Sequence, residues 1–260
     1  YSIVDSIVKI DQLSEKAQQY NYESIAITDS ANLFGFLKFY KSVRSKGIKP
    51  IAGAEINHVR DSSSHNEHAN LTLIAKNHLG YKNLIKLISK SQIVGKTSGI
   101  PVIETEWLAE HSDGLIALSG GFRGHIGKAV LDTNHDLFLK RIKYFQKIFK
   151  EDFILEISRI NRPQEDLYND YILSKAGELG LPVVASNEVR FIDKEDYEAH
   201  ETRVCIQKGE VLSDARRTRS YFEDQYFLSP EEMYDKFKDI PEVLSNACLL
   251  YTSDSADDDR

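Results

Sequence analysis

Cysteine, basic charge and long apolar runs are all scarce in this chain, and each scarcity removes a class of protein. The two cysteines, Cys205 and Cys248, are far apart and fall in no CxxC pattern. A disulfide framework or zinc knuckle needs thiols in closer register, so both are expected to be reduced, semi-buried thiols. No apolar run approaches the length that spans a bilayer, and no basic segment followed by an apolar stretch opens the chain. No membrane association is therefore expected, and the cytoplasm is the expected location. The net charge is -7, from 33 Lys+Arg against 40 Asp+Glu. A domain that grips duplex DNA unaided carries a basic face and a high pI, so this chain is not expected to be a main DNA-binding surface.

What is present is an ordinary globular composition, 41% hydrophobic and 28% charged, over 260 residues. That is enough for one large α/β domain or two small ones. Short apolar runs recur at residues 25–28, 50–55, 71–75, 115–118, 153–157 and 182–186. Continuous runs of this kind suit parallel strands covered on both faces. Between them lie helical patterns. Phe138, Ile142, Phe145 and Phe149 recur at spacings of three and four, as do Tyr168, Tyr171, Ile172 and Leu179, each set giving one apolar stripe. Gly180 then stops the second helix before the strand at Pro182. Alternating strand and helix implies βαβ units and a parallel sheet, as an open doubly wound sheet or a closed barrel. The polar stretch from about Asn57 to Ala69 reads as a surface loop, and the Ser/Asp-rich residues 251–260 as a disordered, non-native tail.

The acidic residues fall where the strands end. Asp29 follows the run at 25–28, Glu55 closes the run from Pro50, Glu156 sits near the end of the fifth run, and Glu188 comes just after the sixth. In parallel α/β folds, strand C-termini share one mouth and form the active-site face. Carboxylates gathered there repel one another and need cations or donors, so a metal or phosphate-ester site, or its remnant, is one reading. The other is capping of the following helices, for which Asp29 is well suited. Histidines to complete a metal site are not evident. His58, His65, His68, His78, His111, His125 and His135 sit in polar or turn contexts and read as surface residues. His200 is either a ligand remnant or a histidine on a helix surface. Arg216, Arg217 and Arg219 read as a solvated loop or phosphate contacts. The flanking Tyr221, Phe222, Tyr226 and Phe227 read as packing residues or base stackers, and Trp107 as core or a helix anchor.

These residues also carry a resemblance. Ile25-Ala26-Ile27-Thr28-Asp29 with Asn32-Leu33-Phe34-Gly35 resembles the "ITDHGNLFG" signature of the PHP (polymerase and histidinol phosphatase) domain of bacterial DNA polymerase III alpha subunits. Phe39-Tyr40, Gly47-Ile48-Lys49-Pro50-Ile51 and Gly53-Ala54-Glu55 resemble its "FY…GIKPIIGCE". Leu118-Ser119-Gly120-Gly121, residues 182–187 and Ala199-His200-Glu201 follow in the family's order, and residues 1–5 resemble its "YSLLDG". The likeness covers residues 1 to about 250.

The resemblance implies a distorted (βα)7 TIM-like barrel over residues 1–250, with a transition toward a polymerase core from about residue 205. It places Asp5, Asp29, Glu55 and Glu156 on acidic site positions, with Glu188 for an Asp. Those five are the residual metal candidates. The family's histidines are replaced by Ser30, Asn70 and Arg190, and the opening His-x-His would precede Tyr1. The site is therefore expected to be degenerate, with metal binding doubtful and Arg190 supplying fixed positive charge. The parent would be a DNA-directed DNA polymerase of replication using Mg²⁺ outside this chain. This part would be non-catalytic and would dock the epsilon proofreading exonuclease among other holoenzyme subunits. The alternatives are an active metal-dependent phosphoesterase or 3′–5′ proofreading nuclease, and a free-standing enzyme like histidinol phosphatase.

Overall fold

The computed structural model describes residues 5–59, 68–97, 99–214 and 216–250. The elements run in order: α1 (Ile10–Gln19), β1 (Ser24–Ser30), α2 (Phe36–Ser45), β2 (Lys49–Val59), β3 (Ala69–Ala75), α3 (His78–Ile93), the short strands β4 (Lys96–Thr97), β5 (Ile100–Pro101) and β6 (Ile103–Glu104), and α4 (Thr105–Glu110). There follow β7 (Leu115–Leu118), α5 (His125–Leu131), α6 (His135–Phe149), β8 (Phe153–Ser158), α7 (Glu165–Leu179), β9 (Val183–Ser186), α8 (Tyr197–Lys208), α9 (Pro230–Phe237) and α10 (Glu242–Leu249). All six apolar runs become strands, and both apolar stripes become helices. Gly180 ends α7 in the left-handed conformation, φ 63°, which costs glycine little.

The main sheet is ordered β1-β2-β3-β7-β8-β9, with β6 beside β2. It curls into a half-barrel. It is not the all-parallel sheet the runs suggest. β3 lies antiparallel to both β2 and β7, whereas β1/β2, β7/β8 and β8/β9 are parallel. An apolar run buried on both faces reads the same in either direction, so strand polarity was not in the pattern. The polar stretch also differs from expectation. Asn57, His58 and Val59 continue β2, and β3 already begins at Ala69. Residues 60–67, with His65, lie outside the described residues, as does the tail 251–260.

Two apolar layers hold the sheet. Outside it, Ile56, Leu71, Leu73, Ala117, Leu155 and Ile157 pack against buried faces of α3, α5, α6 and α7. Inside it, Ile51, Ile74, Ile116, Ile154 and Val184 form a ring with the partly buried Ala26, one residue from each of the six strands. Ala247 of α10 and Leu250 just beyond it close this ring. The ring lies near the start of the parallel strands and the end of antiparallel β3, so α10 plugs the floor of the barrel. The mouth is the opposite end.

Several side chains are more buried than their contexts suggested. His58 (0% exposed) and His125 (4%) sit in the core rather than on the surface. His125 Nε2 lies 3.0 Å from both His58 Nδ1 and the His58 carbonyl oxygen, and this mutual pairing satisfies polar atoms that burial would otherwise penalise. His200 is also fully buried on α8, not on a helix surface. Trp107 is half-buried under Lys90, whose Nζ lies 4.3 Å from the ring centroid. Cys205 is buried and free.

Candidate functional site

The mouth is assembled from the ends of four strands and three connecting turns. Inward-facing residues alternate along each strand. Ser30 pairs in register with Glu55, and both lie on the same face as Ile51. Glu156 pairs with the inward-facing Val184. Asn70 opens its strand, yet it reaches the mouth because β3 runs the other way. Its Nδ2 donates to Glu55 Oε1 at 2.9 Å. Glu188 follows β9 in the left-handed region, φ 45°, a conformation that costs a side-chain-bearing residue and needs support. The support is a ladder to residues 224–226. Asn187 Nδ2 donates to the Asp224 and Tyr226 carbonyls, Gln225 Nε2 to the Glu188 carbonyl, and the Arg190 amide to the Gln225 carbonyl.

Three arginines converge on these carboxylates. Arg162 Nη2 donates to both oxygens of Glu188 at 3.0 and 2.9 Å. Arg123 Nη2 donates to Glu55 Oε2 at 3.1 Å and lies 3.5 Å from Glu188, bridging the two acids. Arg190 Nη2 approaches Glu55 at 3.8 Å. Of the three, only Arg190 stood out in the sequence. The local structure explains the others. Gly120 sits at φ 76°, and a Cβ there would come within 2.1 Å of the Asn70 carbonyl oxygen, so glycine lets the turn carrying Arg123 pass close to β3. Arg162 is presented by a turn built on buried Glu165, which accepts from the Ser158 hydroxyl and from the Ile160 and Asn161 amides. Arg162 also lies over the rings of Phe122 and Phe222, at 5.0 and 5.6 Å.

The electrostatics separate the carboxylates. Burial acts to raise the Glu188 carboxyl, but Arg162, Arg123 and Arg190 outweigh it and hold it below the ordinary carboxylate range. Glu156 makes no ion pair among the described residues. Burial, reinforced by the charges of Glu188 and Glu55, pushes it up to about 7. Tyr168 donates to the Glu156 carbonyl oxygen at 2.7 Å and stays protonated, raised by burial and then by Glu156.

The remaining expected site residues stand apart from this knot. Asp29 pairs in register with Ala54 and shares the face of Ile25, turned toward α2. Burial raises its carboxyl, and the nearby Gly35 amide acts in the opposite sense. Asp5 lies in a bend, where its carboxylate accepts from the Tyr221 hydroxyl at 2.8 Å and its carbonyl from His200 Nε2 at 3.1 Å. The basic cluster divides. Arg216 is exposed and paired with Asp214. Arg217 turns inward onto Glu201 at 2.7 Å, the two side chains being 4% and 3% exposed, and so is neither solvated nor able to reach a phosphate. Tyr221 and Phe222 are spent on Asp5 and Arg162, and Phe227 packs on Tyr20 and Tyr22.

A PHP site would hold metal ions among imidazoles and carboxylates, and the residues here do not fit that group. Ser30 and Asn70 offer neutral oxygen or nitrogen, and Glu55 and Glu188 are already neutralised by guanidiniums that cannot lose their protons. Among the described residues, no cluster of three or more His, Cys, Asp or Glu has metal-binding geometry.

The fold and the mouth define a class, and comparison with known proteins agrees with it. The family model of the PHP domain matches residues 1–160, and the chain belongs to the PHP domain family. It is 42% identical over 247 residues to the DNA polymerase III subunit alpha of Vibrio cholerae, covering 95% of this chain and 21% of that protein. The subunit of the same name from Escherichia coli K12 is 42% identical over 246 residues, again 95% of this chain and 21% of the relative. That of Haemophilus influenzae is 40% identical over 250 residues, with 96% and 21% covered. The match is to the N-terminal region of those proteins, so the chain spans about a fifth of the length of the curated relatives. Among solved structures it is similar to a putative metal-dependent phosphoesterase from Bifidobacterium adolescentis, at 12% identity and a TM-score of 0.44, covering 71% of this chain and 83% of that one.

Proposed function

We propose that this chain is the amino-terminal module of a replicative DNA-directed DNA polymerase and that its own mouth performs no phosphoester hydrolysis. The observation that carries the second part is the knot of Arg123, Arg162 and Arg190 with Glu55 and Glu188. A hydrolytic PHP site needs its carboxylates free to hold cations that activate water. Here the same carboxylates hold guanidiniums, which supply positive charge without generating a nucleophile. In this reading Glu55, Glu156 and Glu188, with Ser30, Asn70 and Arg190 around them, are structural, and Asp5, Asp29 and His200 fasten the segments that border the mouth.

Nucleotide transfer, with its Mg²⁺ ions, belongs to parts of the polymerase beyond this chain, which also make the main grip on the DNA. Residues 1–250 act as one PHP unit, and its surface docks the epsilon proofreading exonuclease within the cytoplasmic holoenzyme. The test has two arms. The chain, freed of metal and then given Mn²⁺ or Zn²⁺, is expected to hydrolyse neither p-nitrophenyl phosphate nor single-stranded DNA. Hydrolysis that grows with added ion and disappears in Glu188→Gln would establish the nuclease reading instead. Immobilised chain is expected to retain purified epsilon, and failure of folded chain to retain it removes the docking role.

A further inference from the structure

We propose that the outer face of α6 is a contact surface for the phosphate backbone of duplex DNA. This goes beyond the reading of the mouth and does not depend on it. From residue 137 to residue 150 the sequence contains no Asp or Glu but carries Lys140, Arg141, Lys143, Lys147 and Lys150, in a chain of net charge -7. Arg141 turns inward to the His125 carbonyl. The four lysines are all exposed. At about 100° per residue, Lys140, Lys143 and Lys147 fall within an arc of roughly 60°, and Lys150 follows at the C-cap. The opposite face, Phe138, Ile142, Phe145 and Phe149, is buried in the fold, so the stripe points outward.

Among the described residues none of the four lysines takes part in an ion pair, although lysines elsewhere do, as Lys175 with Glu178 and Lys76 with Asp152. The neighbouring acids Asp136 and Glu151 stand at the two ends of the stripe, not within it. Cations in a last helical turn complement the helix dipole, which accounts for Lys147 and Lys150 but not for Lys140 and Lys143 in the middle. From Lys140 to Lys150 the helix rises about 15 Å. One strand of a duplex presents a phosphate about every 3.4 Å along its axis, so about four phosphates lie alongside four lysines. An acidic protein would also complement the charge. Protein interfaces, however, rely on apolar or aromatic anchors at their centre, and no residue of α6 other than polar ones is exposed between these lysines.

The experiment is fluorescence anisotropy of a labelled short duplex titrated with the 260-residue chain over a series of salt concentrations. Weak, salt-sensitive binding is expected, with log K falling against log salt at a slope of about -3.6 for four contacts. The Lys143→Glu/Lys147→Glu variant is expected to bind at least tenfold more weakly and to halve that slope. Lys82→Glu/Lys86→Glu, the same change of charge on exposed residues of α3, is expected to stay within about twofold of the parent. Because all four positions are exposed, thermal midpoints should match the parent, which separates lost contact from lost fold. No binding at low salt, equal loss in both variants, or tighter binding of a poly-glutamate peptide than of the duplex would each overturn the proposal.

Discussion

At the floor of the half-barrel, Ile51, Ile74, Ile116, Ile154 and Val184 meet Ala247 and Leu250. At the mouth, further along the same strands, Glu55 and Glu188 meet Arg123, Arg162 and Arg190, with Glu156 buried beside them. Both ends are filled, but only the floor is filled in a way that water-exclusion alone rewards. The mouth is held by directed ion pairs whose benefit depends on every partner being present, because a half-buried charge left alone keeps its desolvation cost. A barrel can therefore keep several carboxylates at one mouth when guanidiniums from its connecting turns balance their charge.

Removing a guanidinium should break the mouth hardest. Arg162→Ala removes the nearest of the guanidiniums around Glu188, whose side chain is 15% exposed, and is expected to cost about 4 kcal/mol in urea unfolding, within the range for one partner of a buried pair. A loss below about 1 kcal/mol would mean that Arg123 alone suffices. Ile154→Ala at the floor is expected to cost about 3 kcal/mol from lost transfer and the cavity left behind. Unlike the mouth variant, its cost should be insensitive to salt, and a strong salt dependence would undo the contrast.

The smallest expected effect concerns the one mouth carboxylate without an arginine. Glu156 titrates near 7 in the fold against an ordinary value of 4.5, so folding takes up a proton between those values. Stability should then decline as pH rises through that window. Glu188 works in the opposite sense. Its carboxyl is held low, so its contribution is present above the ordinary carboxylate value and is lost as pH falls toward its folded value. Glu156→Gln is expected to flatten the decline between about pH 4.5 and 7 and to raise stability at pH 8 by on the order of 2 kcal/mol. An unchanged pH profile would show that Glu156 ionises freely and that the mouth is wetter than its geometry implies.

Much of this is legible in the sequence. The six strands, the two amphipathic helices and the carboxylates at strand ends follow from runs and periodicity, because apolar burial leaves its mark locally. The basic cluster at 216–219 was legible only as charge. Arg216 and Arg217 are adjacent in sequence, yet one is solvated and the other is sealed onto Glu201. Likewise the setting of His58 gave no sign of His125, its partner across 67 residues.

The sequence by itself determined which segments are strands and helices, which carboxylates gather at strand ends, and that imidazoles are missing among them. Tertiary structure alone decided the polarity of β3, which carries Asn70 to the mouth from the start of a strand, the turning of Asp29 away from it, and the arrival of Arg123 and Arg162 from turns with no distinctive motif. The physical reason is one of range. Hydrophobic periodicity is written within a few residues, whereas the neutralisation of a buried carboxylate can come from any cation that the folded chain brings within a few ångströms.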